Sequence, residues 1–462
     1  MQYENGLFIY RRDLRIVDNK GLNLLNAYCK KVFTIFIFTP EQVTSENKFK
    51  SDNAVQFMIE SLIDLARTIS NKGGKLYTFY GVNDKIISEC IKSFKIDAIG
   101  FNIDYSPYAI KRDSNINKLC KEVGIPLLLE HDYYLHQPGT ILNSGGKPYQ
   151  KFTPYYQITM KNKVERPIMT KKIKFIMKQS HIRLVNVITL SDAMKKFVKN
   201  ENLHILVHGG RENAVQILNL AVKTQKHYST THNDLWKPTS QLSAYIKFGC
   251  ISIREVYKTF NQSHDFIRQL IWRDFYANIL FTFPHVLGRA MKPNYEKIKW
   301  YHNASWFTKW CEGRTGFPVV DAGMRQLNAT GYMHNRARLI VASFLVKTLL
   351  ISWEHGEKYF AKQLTDYDPA SNNGNWQWIA STGADSQPYF RVFNPIEQGK
   401  NFDPDCEYIK TWVPELDVLS NKVIHKWSEV WQDFKHIKYP KPICDYKEQK
   451  ELALNMYGAV FK

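Results

Sequence analysis

The chain has 462 residues, 44% of them apolar, and 63 Lys and Arg against 43 Asp and Glu leave a formal net charge of +20. The length calls for two or three domains, the apolar share excludes a disordered protein, and the basic excess suits a polyanionic partner, because neutralising phosphates releases counterions. No stretch approaches the ~20 apolar residues of a membrane helix. The N-terminus lacks a secretory pattern, so a soluble intracellular protein with no membrane attachment is expected. Seven dispersed cysteines without a Cys-x-x-Cys spacing read as free thiols, with no metal site.

In chain order, short β-rich runs at 6–10, 32–39, 75–80, 97–102 and 126–131 alternate with helical spacings at 20–30, 53–70, 84–93 and 108–123. That βαβ rhythm predicts a doubly wound, mostly parallel sheet over residues 1–131. The first strand is followed by no G-x-G-x-x-G, so the usual dinucleotide fingerprint is missing. Residues 132–200 lose the rhythm. With Gly, Pro and Tyr over 139–156 and a basic run over 161–178, they read as a connector crossing the surface, mobile in part. From 201 to 462 strand patterns vanish. Amphipathic segments at 211–226, 241–248, 253–261, 265–280, 319–330, 336–350 and 354–363 predict an all-α second domain.

The unusual residues gather in that second domain. Asp366-Tyr-Asp-Pro-Ala-Ser-Asn372-Asn-Gly-Asn-Trp376-Gln-Trp378 packs two carboxylates, three asparagines and two indoles together. A polar helix cap followed by core tryptophans would account for it alone. Gly331-Tyr-Met-His-Asn335-Arg336-Ala-Arg338 adds a second polar group, in which Asn335 and Arg338 are near one turn apart and face one ligand. Burying such charges is costly without polar partners.

On these segments the chain resembles the photolyase/cryptochrome flavoprotein family, and within it the class I cyclobutane pyrimidine dimer photolyases. The resemblance also rests on Tyr10-Arg-Arg-Asp-Leu-Arg-Ile-Val-Asp-Asn19, Thr239-Ser-Gln-Leu-Ser-Ala-Tyr245, Leu270-Ile-Trp-Arg-Asp-Phe275 and Thr315-Gly-Phe-Pro-Val-Val-Asp-Ala-Gly-Met-Arg-Gln-Leu327, and it is densest over 366–414. It implies a catalytic FAD, folded in a U inside the helical domain. By motif position Tyr228, Thr239, Ser240, Gln241, Leu242 and Ser243 would hold the pyrophosphate; a turn of N–H groups and hydroxyls before a helix is a ready anion site. Phe266, Gln269, Arg273, Asn335, Arg338, Asp366 and Asp368 would line the flavin, and Asn372 would face its N5, where asparagine goes with repair enzymes. Trp376, Trp353 and Trp300 match the family's electron relay from flavin to surface.

The same resemblance implies that a dimer flipped out of ultraviolet-damaged DNA stacks on Trp272 and Trp378 and bonds to Asn335, while Arg336, Arg391 and Lys400 grip phosphates. Reduced FAD, excited by light, would split the dimer by lending it an electron. The chain departs from the family's dimer enzymes at Gln269, where they carry Glu, and at Leu339, Tyr332 and His232. Gln269 is shared with (6-4) photolyases and animal cryptochromes, so (6-4) repair and blue-light signalling without repair stand as alternatives. The folate-binding members' Asn-Glu pair is replaced by Tyr108-Ala109, which leaves the identity of a second, antenna chromophore open. A monomer is expected.

Overall fold

A computed structural model describes residues 2–176 and 184–461. Five parallel strands, β1 Tyr3–Tyr10, β2 Cys29–Phe38, β3 Leu76–Tyr80, β4 Ala98–Asn102 and β5 Leu127–Glu130, lie in the order β3-β2-β1-β4-β5. Between them run α1 Lys20–Tyr28, α2 Asp52–Ser70, α3 Asn83–Phe94 and α4 Pro107–Glu122. Asn19, Ser51 and Ser106 start three of these helices, each accepting from the backbone N–H three residues on. Those bonds satisfy donors that a first turn leaves open.

Both sheet faces are buried, which is why the strands read as continuous apolar runs. Along β1, Leu7 and Ile9 join Phe33, Ile35 and Phe94 on one face, while the alternate Phe8 and Tyr10 point to the other. That other face is closed by more than its own crossover helices. Phe8, Phe36 and Phe38 belong to one apolar cluster with Tyr245, Phe248 and Phe275 of the helical half. Phe57 of α2 completes the join, 5.2 Å from the Tyr245 ring and 5.3 Å from the Phe248 ring.

The connector carries more structure than a surface crossing. It contains α5 Phe152–Thr159 and α6 Leu190–Phe197, and it buries Phe152, Tyr155 and Phe197. The Val32 amide donates to Lys174 O at 2.9 Å, laying the chain against the start of β2. Aromatic side chains within a Gly- and Pro-rich stretch supply these anchors, a feature composition hides. Residues 177–183 of the connector, and with them the end of the basic run, lie outside the described residues.

The helical half includes α7 Arg211–Thr224, α8 Ser243–Lys247, α9 Ile253–Thr259, α10 His264–Thr282, α11 Pro318–Thr330, α12 Asn335–Lys347, α13 Trp353–Gln363, α14 Pro369–Ile379, α15 Pro395–Phe402 and α16 Tyr446–Gly458, with further short helices between, Ala304–Cys311 among them. A second core, around Trp310, Leu327, Ile340, Trp353 and Trp376, holds α11 to α14 together. All seven cysteines are free. A buried ion network fastens the halves: Arg15 Nη2 lies 2.5 Å from Asp132 Oδ2, Arg254 Nη2 2.5 Å from Asp132 Oδ1, and Arg254 Nε 3.1 Å from Asp18 Oδ2. Removing one partner from such a network costs about 3–5 kcal/mol, because it strands a buried charge.

Candidate functional site

A cavity of about 520 Å³ opens among α8, α10, α12 and α14, within the ~300–1,000 Å³ that takes a whole small ligand. Helical spacing explains its walls. From α10 come Phe266, Gln269, Leu270 and Arg273; from α12, Asn335, Arg338, Leu339 and Ala342; from α14, Asn372, Asn375, Trp376 and Ile379. Each set repeats at three and four residues, so each helix presents one stripe.

α14 was absent from the predicted segments, since its Asn-Asn-Gly-Asn run is poor helix former. Tertiary and capping bonds override that. The Asp368 carboxylate accepts from Ser371 N at 3.1 Å, Pro369 takes the first position, and Asn372 N bonds Asp368 O at 2.8 Å. Asn372 donates through Nδ2 to Glu357 O at 3.1 Å. Beside it Asn373 donates to Glu357 Oε1 at 2.9 Å, and burial pushes the Glu357 carboxyl up to about 7.

Charged groups cluster on the inner wall. Arg338 donates to Asp366 Oδ2 at 2.9 Å and to Met333 O at 2.9 Å. Arg273 donates to Tyr133 O at 2.7 Å and lies 4.3 Å from the Tyr134 ring centroid. Asp368 faces Arg12, Lys247 and Arg273; burial works against its charge, but these three cations hold its carboxyl down at about 2. Burial lowers the Lys247 amine to about 8, with Arg12 adding to the effect. His334 is pushed down to about 4 by burial and then by Arg336 and Arg338, so it stays neutral, its Nδ1 accepting from Arg336 N at 3.1 Å.

The mouth is wetter and aromatic. Asn335 and Gln269 are exposed, and Trp272, Trp378 and Arg336 are half-buried. One face of the Trp272 indole is taken by Phe152 of the connector, stacked at 3.7 Å and 5°. Arg336 donates to Asn233 Oδ1 at 2.6 Å and lies 4.3 Å from the Phe402 ring centroid. Thr239 Oγ1 and Tyr332 Oη, 2.7 Å apart, close one side.

The cavity therefore gathers Tyr228, Thr239, Ser240, Leu242, Ser243, Phe266, Gln269, Trp272, Arg273, Asn335, Arg336, Arg338, Asp366, Asp368, Asn372, Trp376 and Trp378. Three expected members stand apart from its lining. Gln241 takes the left-handed conformation (φ 53°) that turns the chain into α8. Arg391 is exposed on a loop, its carbonyl accepting from Lys347 Nζ at 2.9 Å. Lys400 is paired with Glu397 at 2.8 Å, which offsets its charge toward a phosphate.

Trp353 and Trp300 lie behind the wall. Trp376 and Trp353 are each 2% exposed, Trp300 is half-buried, and all three belong to or pack on one apolar cluster. Gly356, one turn after Trp353 in α13, admits the Trp376 indole: a Cβ there would come 2.2 Å from it. The Tyr301 amide donates to Leu350 O at 2.8 Å, tying Trp300 to the segment that leads into α13.

Sequence reasoning missed Arg12, Lys247, Tyr134, Phe152 and Glu357. Arg12 carried a readable signal, a second arginine directly after the buried end of β1; the others carried none.

Residues 7–171 match the DNA photolyase domain and residues 266–459 the FAD binding domain of DNA photolyase. The chain is 33% identical to a deoxyribodipyrimidine photo-lyase of Alkalihalophilus pseudofirmus, with 97% of this chain and 96% of that one covered. It belongs to the DNA photolyase family. Among solved structures it resembles an archaeal photolyase from Sulfolobus tokodaii with two FAD molecules, at 40% identity and a TM-score of 0.88, covering 98% of this chain and 100% of that one. It also resembles a class III photolyase from Agrobacterium tumefaciens, at 30% identity and a TM-score of 0.91, covering 100% and 98%.

The cavity wall fits the FAD of that family. Asp366 Oδ1 and Arg273 Nη2 are buried without a hydrogen-bond partner among the described residues, in side chains that line it. A buried polar atom left so costs about 1–3 kcal/mol, and a polar cofactor with donors and acceptors would satisfy both.

Proposed function

We propose that this protein repairs ultraviolet-damaged DNA by splitting cyclobutane pyrimidine dimers in light. What carries the reading is a single cavity holding a polar floor, with Asn372, Asp366 and Arg338, under a mouth flanked by Trp272, Trp378 and Asn335. Bound FAD, fully reduced and excited by blue or near-ultraviolet light, supplies one electron to the dimer and receives it back once the ring has opened. The cofactor carries that chemistry; the protein orients, excludes water and sets charge.

In this reading Arg338 and Asp366 hold the flavin by paired, charge-assisted bonds. Asn372 has one Nδ2 proton committed to Glu357 O, and its Oδ1 and second Nδ2 proton would be left to meet the flavin. The flipped lesion enters between Trp378 and the Trp272 edge, since Phe152 backs Trp272 and keeps it upright. Asn335 and Gln269 offer neutral amides to the lesion carbonyls. Tyr228 and the turn at Thr239, Ser240 and Ser243 take the pyrophosphate. Arg336 and Arg391 contact DNA phosphates, in the orienting and sequence-independent way of such contacts. Trp300, Trp353 and Trp376 relay electrons inward, from half-buried to buried.

The boundaries that go with this function are an α/β domain over 1–131, a connector over 132–200 and a helical domain over 201–462, acting as an intracellular monomer. Among the described residues no helix is long and apolar enough to cross a membrane, and no group of side chains is set to hold a metal. A second, antenna chromophore stays part of the proposal, its identity unassigned. The cleft at the ends of β1 and β2 measures about 20 Å³ and is bridged by Tyr108 Oη and Thr39 Oγ1, 3.0 Å apart.

The test is illumination of reduced, FAD-loaded protein with DNA carrying either a cyclobutane dimer or a (6-4) photoproduct. Light-dependent restoration of the dimer alone is expected; dimers that persist through illumination refute the proposal.

A further inference from the structure

An arginine of the sheet domain reaches the wall of the flavin cavity. Arg12 lies two residues beyond the end of β1 and is 9% exposed. Its Nη1 lies 3.1 Å from Asp368 Oδ2 and 3.6 Å from Asp104 Oδ1, beyond the end of β4. Asp104 belongs with Arg12 to the strand ends; Asp368 belongs to the cavity wall. The pair therefore spans 356 residues of chain and two domains.

The backbone holds Arg12 firmly. Asp13 Oδ1 accepts from Arg11 N at 2.8 Å, and Leu14 N donates to Phe248 O at 3.0 Å. Gly249, at φ 65°, lies so close that a Cβ would come 2.3 Å from Arg12 O. The guanidinium carbon sits 5.1 Å from the Tyr133 ring centroid and 5.8 Å from that of Tyr134. Arg273 approaches Tyr134 too, so the connector's two tyrosines are contacted by one arginine from the sheet and one from α10.

Asp368 is the lever this arginine holds. One carboxylate oxygen meets Arg12, the other caps α14 at Ser371, and its carbonyl bonds the amide of Asn372. Asn372 and Trp376 follow on the same helix face, so the setting of Asp368 fixes where both enter the cavity.

We propose that Arg12 is a positioning residue of the flavin site: by holding Asp368 at the start of α14 it sets Asn372 and Trp376 against the cofactor. The inference rests on the cavity holding FAD, and is independent of the repair reaction. It makes the sheet domain part of the cofactor site, whether or not it carries a chromophore of its own.

The experiment is a titration of flavin-free protein with FAD, followed by flavin fluorescence from pH 4.5 to pH 8, for the wild type, Arg12→Gln, Asp368→Asn, the double variant and Arg12→Lys. Asparagine still caps a helix, so Asp368→Asn isolates the ion pair. The groups facing Asp368 are Arg12 and Asp104 from the sheet ends, Tyr134 from the connector, Lys247 from α8, Arg273 from α10 and its neighbour Tyr367. Arg12→Gln and Asp368→Asn are each expected to weaken FAD binding about tenfold at pH 8, the double variant no more than either, and Arg12→Lys to recover most of the loss. Such coupling marks one shared interaction. Arg12→Gln alone should also weaken further as the pH falls, because Asp368 then keeps burial and loses its nearest cation.

Wild-type affinity in Arg12→Gln at every pH overturns the inference, as do losses that add in the double variant. A wild type that takes up no FAD overturns the flavin assignment of the cavity instead. If Arg12→Gln does not fold, the comparison of Asp368→Asn with Arg12→Lys decides: equal affinity to wild type in both overturns it.

Discussion

Replacing Glu357 with glutamine should stabilise the protein above pH 7 and cost it about 1 kcal/mol below pH 5, where the carboxyl is already neutral. The carboxyl is 5% exposed, and burial is the main cause that lifts it to about 7 from an ordinary 4.5. A displacement of that size disfavours the ionised form by about 3 kcal/mol, at 1.36 kcal/mol per pH unit. The native state thus binds more protons than the unfolded chain between pH 4.5 and 7, and stability falls as pH rises through that window. Glutamine keeps an acceptor for Asn373 Nδ2 and cannot ionise. Its new amide N–H needs an acceptor, which costs about 1 kcal/mol, leaving a net gain of about 2 kcal/mol at pH 8. Urea unfolding at pH 5, 6, 7 and 8 gives the difference from wild type directly. Asp274 and Asp403 are also raised, to about 7 and about 6, but they are common to both proteins and cancel. A gain of equal size at pH 5 and pH 8, or none at pH 8, would refute the reasoning.

Trp376→Phe should leave FAD bound but slow flavin photoreduction by more than tenfold, seen as a slower loss of the oxidised flavin band under blue light with an external thiol. Gln269→Glu should preserve or raise dimer repair, measured as product formed per photon; a large fall would show that the neutral amide is needed at the lesion. Gly249→Ala forces a side chain into a left-handed backbone and against Arg12 O and the Asp13 backbone. A loss of about 2 kcal/mol or more is expected from strain and overpacking, read as a lower urea midpoint.

The sheet was readable because a strand buried on both faces must be apolar throughout, and β1 to β5 each lie within three residues of their expected bounds. The cavity was readable where motifs sit on one helix, as with Asn335 and Arg338 or Asn372 and Trp376. It was not readable where the partner lies across the chain. Nothing near Asp368 in sequence announces Arg12, and nothing near Trp272 announces Phe152. α14 was hidden for another reason: its asparagines are poor helix formers, and the cap and side-chain bonds that rescue it exist only once α13 is in place.

The apolar cluster that runs from Phe8 and Phe38 through Phe57 to Phe248 and Phe275 has no seam at which a knife could separate sheet from helices. A version of this protein trimmed to its flavin-binding half would expose that surface to water and aggregate rather than fold. Such a domain can shed its own ligand over evolution and still never be deleted, because what keeps it is the wall it lends to its neighbour.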